Sequence, residues 1–296
     1  MDRDPGQFPE LDAPFLSVVV PMYREALRIG PTIADASAWL RGWDRPSELI
    51  LVDDGSDDAT FEAAGAAADI ATGGRLVSAR VLRHERNVGK GAAVRTGMLA
   101  ARGRWFLFMD ADNSTGVREV ERLFEAIRRG GSATGAHGGV DVAIGSREAD
   151  AAEVRRTLLR SLSGALFRGA LRFMGMSLAL DTQCGFKLYS ADAASHILRH
   201  STEDRFAFDV EHLAIARRDG IGVTEVGVRW AHSPGGTVSV ASDGLKMLRA
   251  VRTIRARLAK AGRDPFAQTL PIEHVAGSVP TAQVEAKPAA GVGAGL

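Results

Sequence analysis

Over its first two thirds the chain alternates short apolar, β-branched runs with longer stretches of helical period, the signature of strands linked by helices. Apolar runs at 16–20, 48–52, 80–82, 105–109 and 140–144 predict five strands, with stops at Pro21, Asp53-Asp54-Gly55, Asp110 and Gly145. Between them the spacing predicts helices over 31–43, 57–69 with Ser56 as cap, 91–101 and 117–129. Such alternation makes right-handed βαβ crossovers the expected connections, hence an α/β fold on a mostly parallel sheet. Further on, 186–189 and 223–228 read as strands and 191–199 and 208–218 as helices.

Two basic stretches stand apart. Residues 154–180 carry five arginines and no acid among Leu, Phe, Met and Ala; Arg160, Arg168 and Arg172 interrupt the run too often for a membrane span, so it reads as an interfacial segment. Residues 244–263 hold seven basic residues and no acid, with Leu245, Leu248, Val251, Ile254 and Leu258 at helical spacing. That is a basic amphipathic helix suited to an anionic leaflet, although amphipathic helices more often cover a core. The expected organisation is therefore a flexible segment 1–14, one α/β domain over 15–243, the basic helix, and a disordered tail 264–296 that is rich in Ala, Gly, Pro and Val.

Composition narrows the field. With 45% hydrophobic and 25% charged residues, the 296-residue chain can bury a core and is not disordered overall. Lys+Arg 37 against Asp+Glu 36 leaves no global field for nucleic acid, so no such partner is expected. One cysteine, Cys184, excludes an internal disulfide or a multi-thiolate zinc site and fits a reducing, cytoplasmic setting. The first fifteen residues are acidic and lack the features of a signal peptide.

The candidate chemistry sits at strand ends. In open α/β sheets ligands bind beyond the carboxyl ends of the strands, so the acids at three of those ends should meet in one cleft. Asp53 and Asp54 can accept hydrogen bonds from a ribose or base. Asp110-Ala111-Asp112 places two hard carboxylates where the most apolar strand ends, which suits Mg²⁺ or Mn²⁺ shared with a nucleotide's phosphates. Asn87-Val88-Gly89-Lys90-Gly91 precedes a helix, offering backbone N–H groups and a lysine to phosphate or sugar oxygens. Each motif alone is also an ordinary polar turn. The seven histidines show no convincing metal spacing; His196 and His200, four apart, read as structural. Cys184 reads as a small packing residue.

In order, VVVPMYRE, VDDGS, NVGKG, DAD and IGSR resemble family 2 glycosyltransferases with the GT-A fold, over about residues 15–257. DTQCGFKLY, RFAFDVEHL and Val228-x-Trp230 followed by Gly235-Gly236 resemble the dolichyl-phosphate β-glucosyltransferase branch, with dolichyl-phosphate mannose synthases close by. The resemblance implies that Pro21, Tyr23, Glu25, Asp53 and Asp54 form the nucleoside pocket with Lys90, and that Asp110 and Asp112 hold the metal and donor diphosphate. It implies a sugar- or acceptor-side loop at Gln183–Phe186, with Asp209 and Glu211 on a helix facing the site. Arg147 would bind the acceptor phosphate, joined by Arg156 and Arg160, and Trp230 could line the acceptor cleft. Where mannose synthases often carry Gln as a further metal ligand, this chain has Ser114.

The implied activity is inverting transfer of a hexose, by preference glucose from UDP-glucose, to a polyprenyl phosphate at the inner face of the membrane. Catalytic roles fall to Asp112, Arg147, Asp209 and Glu211. The alternatives are a GDP-mannose-dependent enzyme, a non-lipid acceptor, and a nucleotide-sugar-binding protein without turnover.

Overall fold

The computed structural model describes residues 13–130, 139–147, 149, 178–231, 233 and 246–260, together with the backbone of 153–155, 240–245 and 273–274. In chain order the elements are β1 (Leu16–Met22), α1 (Ile29–Gly42), β2 (Ser47–Asp53), α2 (Thr60–Asp69), β3 (Leu76–Arg83), α3 (Lys90–Ala100) and β4 (Trp105–Met109). A 3₁₀ turn (Val117–Glu119) leads into α4 (Val120–Arg129), β5 (Val140–Ser146), β6 (Glu153–Arg155), β7 (Phe186–Ser190), α5 (Ala191–His200) and α6 (Phe208–Arg218). β8 (Gly222–Gly227), β9 (Arg229–Ala231), α7 (Val240–Lys260) and β10 (Glu273–His274) complete the set.

Among the described residues, eight strands form one sheet in the order β10-β8-β5-β7-β4-β1-β2-β3, and β6 pairs with β9 apart from it. Every pairing in the large sheet is parallel except those of β7, which runs antiparallel between β4 and β5. Strand periodicity of two divides the apolar residues into two cores. Val19, Ile50, Val52, Phe106, Phe108, Val142 and Ile144 pack with α3, α5, α6 and α7. Leu16, Val18, Val20, Leu49, Leu51, Leu107 and Met109 pack with α1, α2 and α4. Each fully buried Leu, Ile or Phe contributes about 1.5–3 kcal/mol, so the sheet is a rigid platform for whatever its loops carry.

Four expectations change. β1 runs through Pro21 to Met22, because its pairing with β4 ends at Val19 and the missing proline N–H costs no ladder bond there. α2 begins at Thr60, and Ser56 does not cap it; the Ser56 hydroxyl donates to Asp53 instead, while Asp58 accepts the Thr60 N–H at 3.1 Å. α7 buries Val251, Ile254 and Leu258 in the core it shares with α6, so this apolar face is not offered to a bilayer. β10, paired with β8 at Thr224 and Glu225, falls inside the stretch expected to be a structureless tail. Most of the interfacial segment, including Arg156 and Arg160, lies outside the described residues, as do the first twelve positions and most of the tail.

Candidate active site

The carboxyl ends of β1, β2, β4 and β5 share one rim of the sheet. Because β7 is antiparallel, its first residue joins them: Phe186 lies beside Met109, and Gly185 O accepts the Asp110 N–H at 3.0 Å. The sheet thereby gathers Pro21–Glu25, Asp53-Asp54, Asp110–Asp112, Arg147 and Gln183–Gly185 along a single edge. Both non-glycine residues with positive φ among those described, Arg24 at 56° and Asn113 at 53°, sit on this edge. Strained backbone of this kind persists where surroundings hold it, commonly at binding sites.

Asp53 and Asp54 are buried and are spent on the rim's own construction. Asp53 accepts from Ser56 and lies 3.1 Å from Arg83 Nε. Asp54 accepts the N–H groups of Val88 at 3.0 Å and Gly89 at 2.8 Å, and His84 bridges it at 2.8 Å to Thr96 at 2.9 Å. Asp54 therefore acts on the site through the Asn87–Gly91 loop that it holds. Two of the loop amides expected to meet phosphate are committed to Asp54, and Ala92 N–H donates to Asp204 O at 3.0 Å.

Lys90 opens α3 and carries its Nζ to 2.6 Å from Asp110 Oδ1, over the Phe108 ring. Burial alone would lower its pKa, but Asp110, Asp209 and Asp112 outweigh that and raise it, so the ammonium stays charged. Glu25 is clamped by Arg28, with Nε–Oε2 and Nη2–Oε1 both at 2.7 Å. Its pKa is nonetheless raised, first by burial and further by the nearby charges of Asp112 and Asp110. Asp112 accepts the Ser114 N–H at 3.0 Å, fixing the turn.

On the other flank, Arg147 makes a bidentate pair with Asp181, Nε–Oδ2 2.7 Å and Nη2–Oδ1 2.8 Å, and its guanidinium lies 5.7 Å from the Trp230 ring centre. Burial disfavours the charge, but the Asp181 hydrogen bonds and charge raise the Arg147 pKa further. Asp181 is in turn oriented by Glu225, which accepts the Asp181 N–H at 2.8 Å and the Leu180 N–H at 2.9 Å.

Asp209 sits beneath the rim rather than in it. Lys187, wholly buried in β7, donates to Asp209 and to Cys184 O at 2.6 Å, bracing the Gln183–Gly185 loop. Burial raises the Asp209 pKa, opposed by Lys187 and Lys90. Glu211 is not brought to the site: it is buried on α6 and bonded to 201–203 and to Arg257. Cys184 is buried, its thiol pushed up to about 12 chiefly by burial, which fits a packing role.

The sequence reading missed Asp181 and Lys187. A signal existed for the second, since a lysine inside the apolar strand FKLY of a central sheet demands a buried acid. Away from the rim, ligand atoms of His196, His200 and Asp219 lie within 4.8 Å of one another. Arg218 already bonds both Asp219 oxygens, at 2.6 and 2.7 Å, making this a hydrogen-bonded clip.

The donor set at Asp110 and Asp112 fits a magnesium- or manganese-type ion: hard oxygens at a strand end, leaving room for water and phosphate. Along this edge Asn113 Oδ1, Ser114 Oγ and Gln183 Nε2 are buried without a hydrogen bond, whereas Asp53 Oδ2 and Asp110 Oδ1 face the cations of Arg83 and Lys90. Such unsatisfied groups in a native interior point to a missing partner. Among the described residues, no third His, Cys or carboxylate closes a tight three-ligand group with these two aspartates.

The profile of glycosyl transferase family 2 matches residues 17–198. The dolichyl-phosphate beta-glucosyltransferase of Saccharomyces cerevisiae is 33% identical over 252 residues, covering 81% of this chain and 74% of that protein. Those of Drosophila melanogaster and Homo sapiens are 35% and 32% identical, covering 82% of this chain and 76% and 75% of theirs. Among solved structures, glucosyl-3-phosphoglycerate synthase of Mycobacterium tuberculosis aligns with a TM-score of 0.59 at 20% identity, over 81% of this chain and 80% of its own. Its complex with Mn²⁺, UDP-glucose and phosphoglyceric acid aligns equally well, over 84% and 80%.

Proposed function

The chain belongs to glycosyl transferase family 2 and has the GT-A fold, and from that premise we propose that it is an inverting enzyme transferring glucose from UDP-glucose to a polyprenyl phosphate of the dolichyl type. The observation that carries the reading is the acidic rim: Asp110 and Asp112 at the end of β4, with Lys90 on Asp110 and Arg147 across the edge, in a chain about one third identical to dolichyl-phosphate beta-glucosyltransferases.

In the proposed reaction, an oxygen of the lipid phosphate attacks the anomeric carbon from the face opposite the diphosphate. The new C–O bond forms as the bond to the diphosphate breaks, and that electron pair leaves on the nucleotide. One in-line displacement converts an α-linked donor into a β-linked product. Asp110 and Asp112 would hold Mg²⁺ or Mn²⁺, which when bound neutralises the charge growing on the leaving diphosphate. Lys90 supplies a second positive charge at the same place and needs no proton transfer to do so.

The acceptor phosphate, with a second pKa of about 6 by analogy with phosphorylated side chains, is already a dianion near neutrality and needs no strong base. Asp209, buried on Lys187, therefore positions the Gln183–Gly185 loop. Arg147, held flat by Asp181, grips the acceptor phosphate, with Arg156 and Arg160 as the proposed reinforcement. The nucleoside packs against Pro21, Tyr23 and Glu25 beside the wall built by Asp53 and Asp54, and Gln183 faces the sugar. No described helix is long and apolar enough to cross a membrane. The acceptor's own chemistry and the exposed basic residues of α7 support peripheral attachment at the cytoplasmic face.

The test is incubation with polyprenyl phosphate, Mg²⁺ or Mn²⁺, and separately labelled UDP-glucose and GDP-mannose. Label should enter the organic phase from UDP-glucose and stop doing so on chelation. Label arriving from GDP-mannose would reassign the sugar, and label confined to water-soluble product would reassign the acceptor. Donor binding without turnover would remove the enzyme altogether.

A further inference from the structure

Glu211 leaves the chemistry but not the site's construction. Its carboxylate accepts the Thr202 N–H at 3.0 Å, the Glu203 N–H at 2.8 Å and the hydroxyls of Ser201 and Thr202, so one buried acid closes the turn that leads into α6. The counter-charge comes from α7: Arg257 Nη2 bonds Glu211, and Nη1 donates to His200 O at 3.0 Å. Downstream of that turn, the backbone lies directly on the glycines flanking Lys90. A Cβ at Gly89 would be 2.3 Å from Asp204 O, and one at Gly91 would be 2.5 Å from Glu203 O and 2.8 Å from Phe208 Cβ. Asp204 O accepts the Ala92 N–H, and the Asp204 carboxylate pairs with Arg95 further along α3. Contact is thus continuous from α7 through Glu211 and the 201–204 turn to Gly89–Gly91, and so to Lys90 and Asp110.

We propose that Arg257 is a positioning residue for donor binding: by neutralising Glu211 it locks the 201–204 turn against Gly89 and Gly91 and so fixes Lys90 opposite Asp110. A buried carboxylate stripped of its cation is strongly disfavoured, and its simplest relief is to draw water in and loosen the turn it caps. The loosened turn no longer confines the glycine loop, whose conformational freedom is then restored. This inference rests on the reading of Lys90 as a donor-phosphate lysine. Its structural half stands independently of that reading.

Two readouts on the full chain test it. The first is amide hydrogen exchange, without ligand, at Ala92, Thr202 and Glu203. Arg257→Ala should speed exchange at these amides by about tenfold or more while leaving those of β1 and β4 unchanged, whereas Arg257→Lys should restore most of the protection. The second is steady-state transfer: Arg257→Ala should raise KM for the nucleotide sugar several-fold more than KM for the lipid phosphate. Thr253→Ala, on the exposed face of α7, serves as control and should behave as wild type in both. Exchange that speeds evenly across β1, β4 and α6 would reduce Arg257 to a general stabiliser, and unchanged protection at Ala92 would break the proposed link. Should the wild-type chain transfer no glucose, the functional reading fails, while the exchange result still decides whether Arg257 fixes the loop.

Discussion

A methyl group placed on Gly185 would stand 2.0–2.3 Å from the carboxylate atoms of Asp110, closer than any real contact. Asp110 is the flexible partner and would swing away, abandoning Lys90 and the place proposed for the ion. Gly185→Ala should therefore lower transfer by about 10²–10³, comparable to losing one charge-stabilising group, while costing only about 1 kcal/mol of stability. Turnover measured beside thermal unfolding would separate the two effects. Wild-type turnover in Gly185→Ala would mean that Asp110 does not work from the position seen here. Asp112→Asn is the complementary change. It keeps an oxygen for the Ser114 N–H, so the turn survives, but it removes one of two charges, and transfer should fall by about 10² or more with a higher Mn²⁺ requirement. Titration of activity with Mn²⁺ would show this directly.

Between residue and fold, α6 carries a test through His212. The imidazole is packed edge-on against Phe208 and Tyr189, with Tyr189 Oη 3.4 Å from Nδ1. Burial, helped by the charges of Lys187 and Arg95, pushes its pKa down to about 3. A base whose folded pKa lies below its unfolded value of about 6.5 gives full stability above 6.5 and loses it as pH falls toward 3, since only the unfolded chain takes up the proton. Between pH 6.5 and 4.5 that loss is about 2 kcal/mol, and His212→Gln should flatten this part of a urea-unfolding profile. An unchanged slope in the variant would assign it elsewhere.

The same elements mark what could be read in advance. Strands and their acidic ends were legible because period-two apolar runs and the stops after them are local facts, as with Trp105–Met109 and Asp110. The insertion of β7 between β4 and β5, and the pairings Arg147–Asp181 and Lys187–Asp209, were not legible, because they join segments distant in sequence through folding alone. Glu211 was misplaced for the same reason: its spacing from Asp209 says nothing about which face of α6 meets Arg257.

At the scale of the whole molecule, the question is how a chain whose charges nearly cancel meets a lipid-linked acceptor. The apolar stripe of α7 is consumed by the core, where Val251, Ile254 and Leu258 are buried against the layer that includes α6. The charges that this part of α7 leaves outside are all basic, Arg249, Arg252 and Lys260 among them, beside exposed Thr253, Ala256 and Ala259. A helix face whose charges are all cations holds a surface by attraction to anionic headgroups, about 1 kcal/mol for each basic residue near the membrane, and that attraction decays within a Debye length. Insertion of apolar side chains would instead be indifferent to salt. Binding to vesicles containing phosphatidylserine should accordingly weaken steeply as salt rises and be weak on neutral phosphatidylcholine. Replacing Arg249, Arg252 and Lys260 together by alanine should lower the affinity by about 10², three increments of that size. Cosedimentation measures each arm, and salt-insensitive binding to neutral vesicles would move the lipid contact from the charged face of α7 to apolar surface elsewhere in the chain.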